Sequence, residues 1–424
     1  MDERIEKVIK GYWASELPDV KERELNPFIK EQLITDIMGP RRAGKTYLMF
    51  SIIKSLPLNS TIYINFENRR LLPLKEEYFN DIVEFIYAEQ LFQKRKKIYL
   101  FLDEVQRITG WEKYVRSVYD EFKGKLKVFV SGSSANLLSH DYARLLTGRH
   151  LTCVVLPLSF SEFLVFKGLK IKNKIPTERE ESLIKKYLKE YIIHGGFPEV
   201  VLESQKEPML SQLFSDIVSR DILSRGDIRN DTVMEEFSNY CAANISNLLS
   251  FGKMTRYFKS RGIKISTPTL ISYFQYMKNA FLFFDNTIFS YKIKDQMQYP
   301  RKIYAIDNGF ANLAGTEDLG RLCENTVAVE LLRQSAHTFY WKSRSGSEVD
   351  FVIKEKNRIR AIQVCYDPEA LTTKEREMKA LIKCMDEFKL KKAEIITFDH
   401  EAKENIGNKM IRFIPLWKFL LRLS

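Results

Sequence analysis

Cysteine is scarce, and none of it is paired in sequence. Five occur in 424 residues (Cys153, Cys241, Cys323, Cys365 and Cys384), with no CxxC among them. An odd, scattered set argues against a disulfide framework or a zinc site and fits a reducing compartment. No run of about 18 apolar residues occurs, which excludes an ordinary membrane-spanning helix. The N-terminal "MDERIEKVIKGYW" lacks an apolar core, so no signal peptide is expected and a cytoplasmic location is. Solenoid-length repeats and low-complexity segments are also absent. What is present is a globular composition, 45% hydrophobic and 29% charged, with a net charge of +12. The length suggests two to three domains. The basic excess favours acidic partners such as nucleic acid.

The first half alternates apolar strands with helical stretches. Strands are expected over 33–39, 61–68, 97–105, 126–134 and 150–158, and helices over 45–56, 76–95 and 111–122. Continuous rather than alternating apolar runs mark strands buried on both faces, as in a parallel sheet covered by helices. From residue 159 to 229 the pattern is helical, broken by "HGGFPEV" (194–200). The expected organisation is a core at 1–158, a helical lid at 159–229, a third module at 230–305 and a C-terminal α/β domain at 306–424.

"GPRRAGKT" (39–46) matches G-x-x-x-x-G-K-[ST] and lies between an expected strand and an expected helix. Gly39, Pro40, Arg41, Arg42, Ala43, Gly44, Lys45, Thr46 and Tyr47 are therefore the candidate nucleotide-binding residues. Backbone N–H groups and the helix N-terminus would cradle phosphate, with Lys45 on the β/γ-phosphates and Thr46 on Mg²⁺. "IYLFLDEV" (98–105) ends a strand in two acids. Asp103 is the candidate Mg²⁺ partner, and Glu104 the group that orients the attacking water. The next strand ends in "SGSSAN", where Ser133 is the first candidate for a γ-phosphate contact and Ser131, Ser134 and Asn136 are alternatives. Arg149, after Gly148, is a candidate arginine finger acting in trans, which would imply a homo-oligomer. Arg220 could act similarly, but an ion pair with Asp221 or another acid is the simpler expectation.

"MGPRRAGKTYL", "LFLDEVQ", "SGSSANLLS", "LTGRH", "LPLSFSEF" and "HGGFPEV", in this order, resemble an archaeal and bacterial family of AAA-type P-loop ATPases with a C-terminal domain of unknown function. The resemblance implies a five-stranded ATPase sheet, a helical lid, and ATP with Mg²⁺ as cofactors. It implies no particular substrate.

Residues 238–292 read as two helices, a turn and a third helix capped by Ser266 or Thr267, then a hairpin. That is the pattern of a winged-helix module. Between Ser250 and Tyr304 ten Lys/Arg stand against Asp285 and Asp295, most of the chain's excess charge. The expectation is contact with a DNA backbone near Lys264, Thr267, Thr269 and Ser272, the module's aromatics being core. The alternative is a protein–protein spacer.

The C-terminal order α-β-β-β-α-β resembles the restriction-endonuclease-like, PD-(D/E)XK-like, core. The resemblance maps its metal ligands onto Glu324 (or Glu330), Asp350 and Gln363, and its lysine onto Cys365. Gln363 brings no charge and Cys365 no ammonium, so efficient cleavage is not expected. Lys342 or Lys354 could stand in. The resulting expectation is an ATPase that binds duplex or branched DNA. The rivals are a nucleotide switch acting on a protein partner and an ATP-dependent nuclease.

Overall fold

Burial on both faces shapes the first sheet. Its strands are β1 (Ile34–Met38), β2 (Thr61–Asn65), β3 (Ile98–Asp103), β4 (Leu126–Gly132) and β5 (His150–Val154). Every residue of β1 and β4 is buried. All pairings are parallel, in the order β2-β3-β4-β1-β5. The computed structural model describes residues 1–25, 27–132, 148–171, 175–224, 228–356, 358–368 and 371–423, without the side chains of 371–373. The chain forms two compact units, Met1–Leu156 and Pro157–Ser424. The expected segments 159–229, 230–305 and 306–424 all fall in the second.

In the first unit, α1 (Glu3–Ala14) is capped by the Asp2 carboxylate and buries Ile5, Val8, Ile9 and Tyr12. Next come α2 (Lys45–Lys54), α3 (Tyr78–Ala88), α4 (Leu91–Lys94) and α5 (Trp111–Glu121). The single helix expected over 76–95 is split because Gln90 takes a left-handed conformation, φ 53°, which interrupts the helical ladder. Ile37, Ala43, Met49, Ile53, Phe101 and Phe129 join the sheet to α2 in one core.

The second unit opens with α6 (Phe160–Phe166) and α7 (Glu178–His194), each started by a capping box, Ser159 with Glu162 and Thr177 with Glu180. α8 (Pro198–Leu202) and α9 (Lys206–Asp216) follow, and α9 runs into a π-helical turn over Ile217–Leu223. Then come α10 (Asp231–Ala243), β6 (Leu248–Leu249), α11 (Phe251–Ser260), α12 (Thr267–Asn279), β7 (Phe283–Asn286), α13 (Ile293–Gln298) and β8 (Arg301–Ala305). Ser266 caps α12 by accepting from the Thr269 N–H. β6, β8 and β7 form an antiparallel three-stranded sheet.

The chain continues through α14 (Asn308–Leu313), α15 (Leu319–Arg333), β9 (Thr338–Lys342), β10 (Glu348–Glu355), β11 (Arg358–Cys365), α16 (Leu371–Glu387), β12 (Lys392–Thr397), β13 (Ala402–Ile406), β14 (Lys409–Pro415) and α17 (Leu416–Leu420). The six strands form one mixed sheet in the order β13-β14-β12-β11-β10-β9. β9, β10 and β11 make an antiparallel meander, while β11–β12 and β12–β14 are parallel. Leu381, Cys384 and Met385 of α16 pack with Val349, Val352, Ala361, Ile395 and Phe413 of the sheet.

The "HGGFPEV" turn is fixed by a residue over a hundred positions away. The Gly196 N–H donates to Oδ2 of buried Asp307 at 2.7 Å, and the Gly309 N–H donates to its Oδ1 at 2.9 Å. Burial pushes the Asp307 carboxyl up to about 7, against the pull of those two N–H donors.

Candidate functional site

In the first sheet, strand order brings the motif residues together. β1 carries the glycine-rich loop at its C-terminal end and β3 ends at Asp103, with Glu104 next in the chain, and β4 is hydrogen-bonded between the two strands. The order reverses around β1, the position where open parallel sheets form a ligand crevice.

The loop closes tightly. Gly39 has φ 153°, and a Cβ there would lie 2.0 Å from the Val155 carbonyl oxygen, so no larger residue fits. Pro40, Arg41, Arg42 and Ala43 form the turn, and Gly44 starts α2 in a left-handed conformation. Lys45 is buried, and its ammonium donates to the carbonyls of Gly39 at 3.1 Å and Pro40 at 2.9 Å. Tyr47 is exposed. The segment before β1 braces the loop: the Arg23 guanidinium donates to the carbonyls of Ala43 and Leu156, each at 2.9 Å.

Asp103 is fully buried and held by three hydroxyls. Thr46 Oγ1 and the Tyr63 phenol both donate to its Oδ2 at 2.8 Å, and Ser131 donates to its Oδ1. Burial first, then the charge of Asp103, hold the Tyr63 phenol well above its usual range, which keeps it a donor. Ser131 also accepts from the Glu104 N–H at 3.3 Å. Glu104 has φ 53°, left-handed for a non-glycine residue, and its Oε2 accepts from Gln106 at 2.5 Å. Burial raises its pKa, opposed by the Lys45 charge.

Of the polar candidates at the end of β4, Ser131, in the strand itself, meets the acids, while Ser133, Ser134 and Asn136 lie outside the described residues. Arg149 Nε donates to Asp120 at 3.1 Å within the same unit. Arg220 lies 3.6 Å from Asp216 rather than Asp221. Thr46, Asp103 and Glu104 could hold a hydrated divalent cation and Lys45 with the loop a polyphosphate. The donor set fits, because hydroxyl and carboxylate oxygens already converge beside the loop. Tyr63 and Arg23 carried no sequence signal, since neither belongs to a spaced motif.

In the C-terminal sheet, Glu324 and Asp350 meet, but around a lysine. The Lys302 ammonium lies 2.7 Å from Asp350 Oδ1, 3.0 Å from Glu324 Oε1 and 3.0 Å from Glu348 Oε1. Burial alone would lower the Lys302 pKa, but Asp350 and Glu324 hold it well above its usual value. Tyr304 donates to Glu324 at 2.9 Å. Gln363 is spent elsewhere: its Oε1 accepts from the Asp350 N–H at 3.1 Å, and its Nε2 donates to Glu377 at 2.6 Å. Glu330 instead pairs with Arg333 and Arg422. Burial pushes the Cys365 thiol up to about 11. Lys342 reaches Glu348 at 3.4 Å, and Lys354 is exposed. No group of three or more metal-ligating side chains is poised for a metal ion among the described residues.

The basic residues of 250–304 divide into two sets. Lys302 is buried, Arg261 pairs with Glu236, and Lys278 and Arg301 both pair with Asp285. Lys253, Arg256 and Lys259 of α11 are exposed, as are Lys264, Lys292 and Lys294. The outer face of α12 shows Ile271, Ser272 and Gln275 instead of cations. Thr267 bonds Thr255 and Ser272 bonds the Pro268 carbonyl. Among the described residues, no helix is long and apolar enough to cross a membrane.

The model of the AAA domain matches residues 31–164. Two domains of unknown function match 185–319 (DUF8612) and 319–419 (DUF4143). The uncharacterized protein MJ1544 of Methanocaldococcus jannaschii is 36% identical over 95% of this chain and 92% of its own length. An uncharacterized protein of Haemophilus influenzae is 30% identical over 81% of this chain and 85% of its own. A solved structure of C. elegans PCH-2 is 14% identical, covering 51% of this chain and 61% of its own, with a TM-score of 0.28, too low to carry any argument. The chain therefore belongs to one family with MJ1544 and the Haemophilus influenzae protein, and carries an AAA-type, P-loop ATPase-like domain ahead of two domains of unknown function.

Proposed function

We propose that the protein binds and hydrolyses ATP with Mg²⁺ in its first unit. The observation that carries this reading is the convergence of Lys45, Thr46, Asp103 and Glu104 at one end of the parallel sheet, with Thr46 and Asp103 already hydrogen-bonded. Bound Mg²⁺ would neutralise phosphate charge. Lys45 would leave the loop carbonyls for the phosphates, and Glu104, its basicity raised by burial, would orient and accept a proton from the attacking water. Tyr63 and Ser131 would keep the Asp103 carboxylate aimed while Thr46 turns to the cation. Tyr63→Phe and Ser131→Ala should each lower turnover by about tenfold and raise the Mg²⁺ concentration needed for half-maximal rate, since supporting partners of a metal ligand are typically worth about 10–100-fold. A Mg²⁺ titration of phosphate release checks this, and an unchanged titration sinks the positioning role.

The second unit is read as a DNA-binding effector. Three helices with a small antiparallel sheet support a winged-helix module, and the exposed Lys253, Arg256, Lys259 and Lys264 suit a phosphate backbone. The helix–three-strand–helix–strand order from α15 to β12 supports a restriction-endonuclease-like core. Its acid cluster, already occupied by Lys302, disfavours cleavage. Because Arg261 is paired with Glu236, the informative change is Lys253→Glu with Arg256→Glu and Lys259→Glu. This variant should weaken duplex binding by at least about tenfold and flatten its salt dependence. Equal affinity at every salt concentration would instead favour the protein-partner reading, which the exposed Tyr257 and Ile271 on the same two helices support.

A further inference from the structure

Three carboxylates converging on one point ordinarily surround a divalent cation. Glu324 comes from α15, and Glu348 and Asp350 come from β10. The point they share holds an ammonium. Lys302 arrives from β8, the central strand of the other sheet in this unit. An ammonium has three N–H donors, and here three carboxylates lie within 3.0 Å of it. The second Asp350 oxygen accepts from the Val364 N–H at 2.9 Å. The lysine side chain is 3% exposed, and those of Glu324 and Asp350 are 11% and 9% exposed, so the ammonium sits inside the cluster, with Glu348, at 27%, on its outer side.

We propose that Lys302 is the resident cation of this acidic centre, and that the centre is an ionic lock joining the three-stranded sheet to the six-stranded sheet, not a metal site. The observed positions allow no second cation. Oxygens 2.7–3.0 Å from the nitrogen would have to close to about 2.0–2.6 Å around Mg²⁺ or Ca²⁺. The ammonium would have to leave first. Neighbouring contacts brace the same junction. Tyr340 of β9 donates to the Pro300 carbonyl at 2.7 Å, and Thr338 donates to Asn286 of β7 at 2.9 Å. The inference does not depend on DNA binding.

The test uses the full chain without nucleotide, with Mn²⁺ as probe. Wild type and Asp350→Asn should bind the same amount of Mn²⁺ in equilibrium dialysis, because the centre takes none. Lys302→Met strands three carboxylates and should lower Tm by about 10 °C. Mn²⁺ should restore part of that loss and add one bound ion per chain, which Asp350→Asn in the same background removes. If Lys302→Met fails to fold, Lys302→Met with Asp350→Asn should fold with partial recovery, since the burden of uncompensated charge is smaller. Mn²⁺ binding by wild type that disappears in Asp350→Asn would overturn the proposal. So would Asp350-dependent DNA cleavage by wild type with Mn²⁺, or a Lys302→Met variant with unchanged Tm.

Discussion

Replacing Glu104 with Gln should lower ATP turnover by at least about 100-fold while leaving nucleotide affinity within a few-fold. The change keeps the size and the Gln106 contact but removes the carboxylate that would take a proton from the attacking water. Positioned general bases are typically worth about 10²–10⁴ in rate. Binding should survive because the loop around Lys45 and the Thr46–Asp103 pair are untouched. The raised Glu104 pKa has a consequence with a definite sign. The base form is lost as pH falls through the folded pKa, so the wild-type rate should drop on the acid side at a higher pH than a free glutamate would give. Phosphate release across pH, alongside equilibrium binding of a fluorescent ATP analogue, checks both points. Loss of binding together with turnover would make Glu104 a structural residue.

Gly195→Ala should be strongly destabilising. A Cβ at this position would lie 1.6 Å from Asp307 Oδ1, and its φ is 75° with ψ −162°. That backbone region is essentially reserved for glycine and costs other residues about 1–3 kcal/mol before any clash. Displacing Asp307 would also break its bonds to the Gly196 and Gly309 N–H groups, leaving buried donors unmet at about 1–3 kcal/mol each. The sum is about 4 kcal/mol or more. It should appear as a Tm loss of about 10 °C or more, or as insoluble protein. Gly252→Ala is the matched control. It lies in α11 with room for a methyl group, the nearest atom being an Arg256 nitrogen at 3.9 Å, and should be neutral or slightly stabilising. Equal stability of the two variants would remove the account of the "HGGFPEV" turn.

These cases show which parts of the protein could be read from the chain. The loop at 39–46 and the acids at 103–104 were legible because phosphate chemistry fixes residue types at fixed local spacing. The five parallel strands were legible because burial on both faces leaves unbroken apolar runs. Ser131 was harder. Several small polar residues cluster at the end of β4, and only register against β3 shows that Ser131 meets Asp103. Tyr63 looked like an ordinary strand aromatic, and its hydroxyl contact spans 40 positions. Gly195 and Asp307 are more than a hundred positions apart, so the turn signal was visible but its partner was not. Lys302 was the most misleading. Counted with nine other cations it suggested a nucleic-acid surface, yet it is buried among acids contributed by later elements. Charge summed along a segment cannot separate an exposed ammonium from one enclosed by carboxylates. Seven of those ten cations are exposed, and with Arg261 held by Glu236, six remain available to a phosphate backbone.

Phosphate release by the purified chain, with ATP and Mg²⁺, compared with Lys45→Ala, tests the central claim most directly. The account predicts Mg²⁺-dependent release by wild type and a loss of at least about 100-fold in the variant. Full turnover by Lys45→Ala, or release by wild type that does not need a divalent cation, would contradict it.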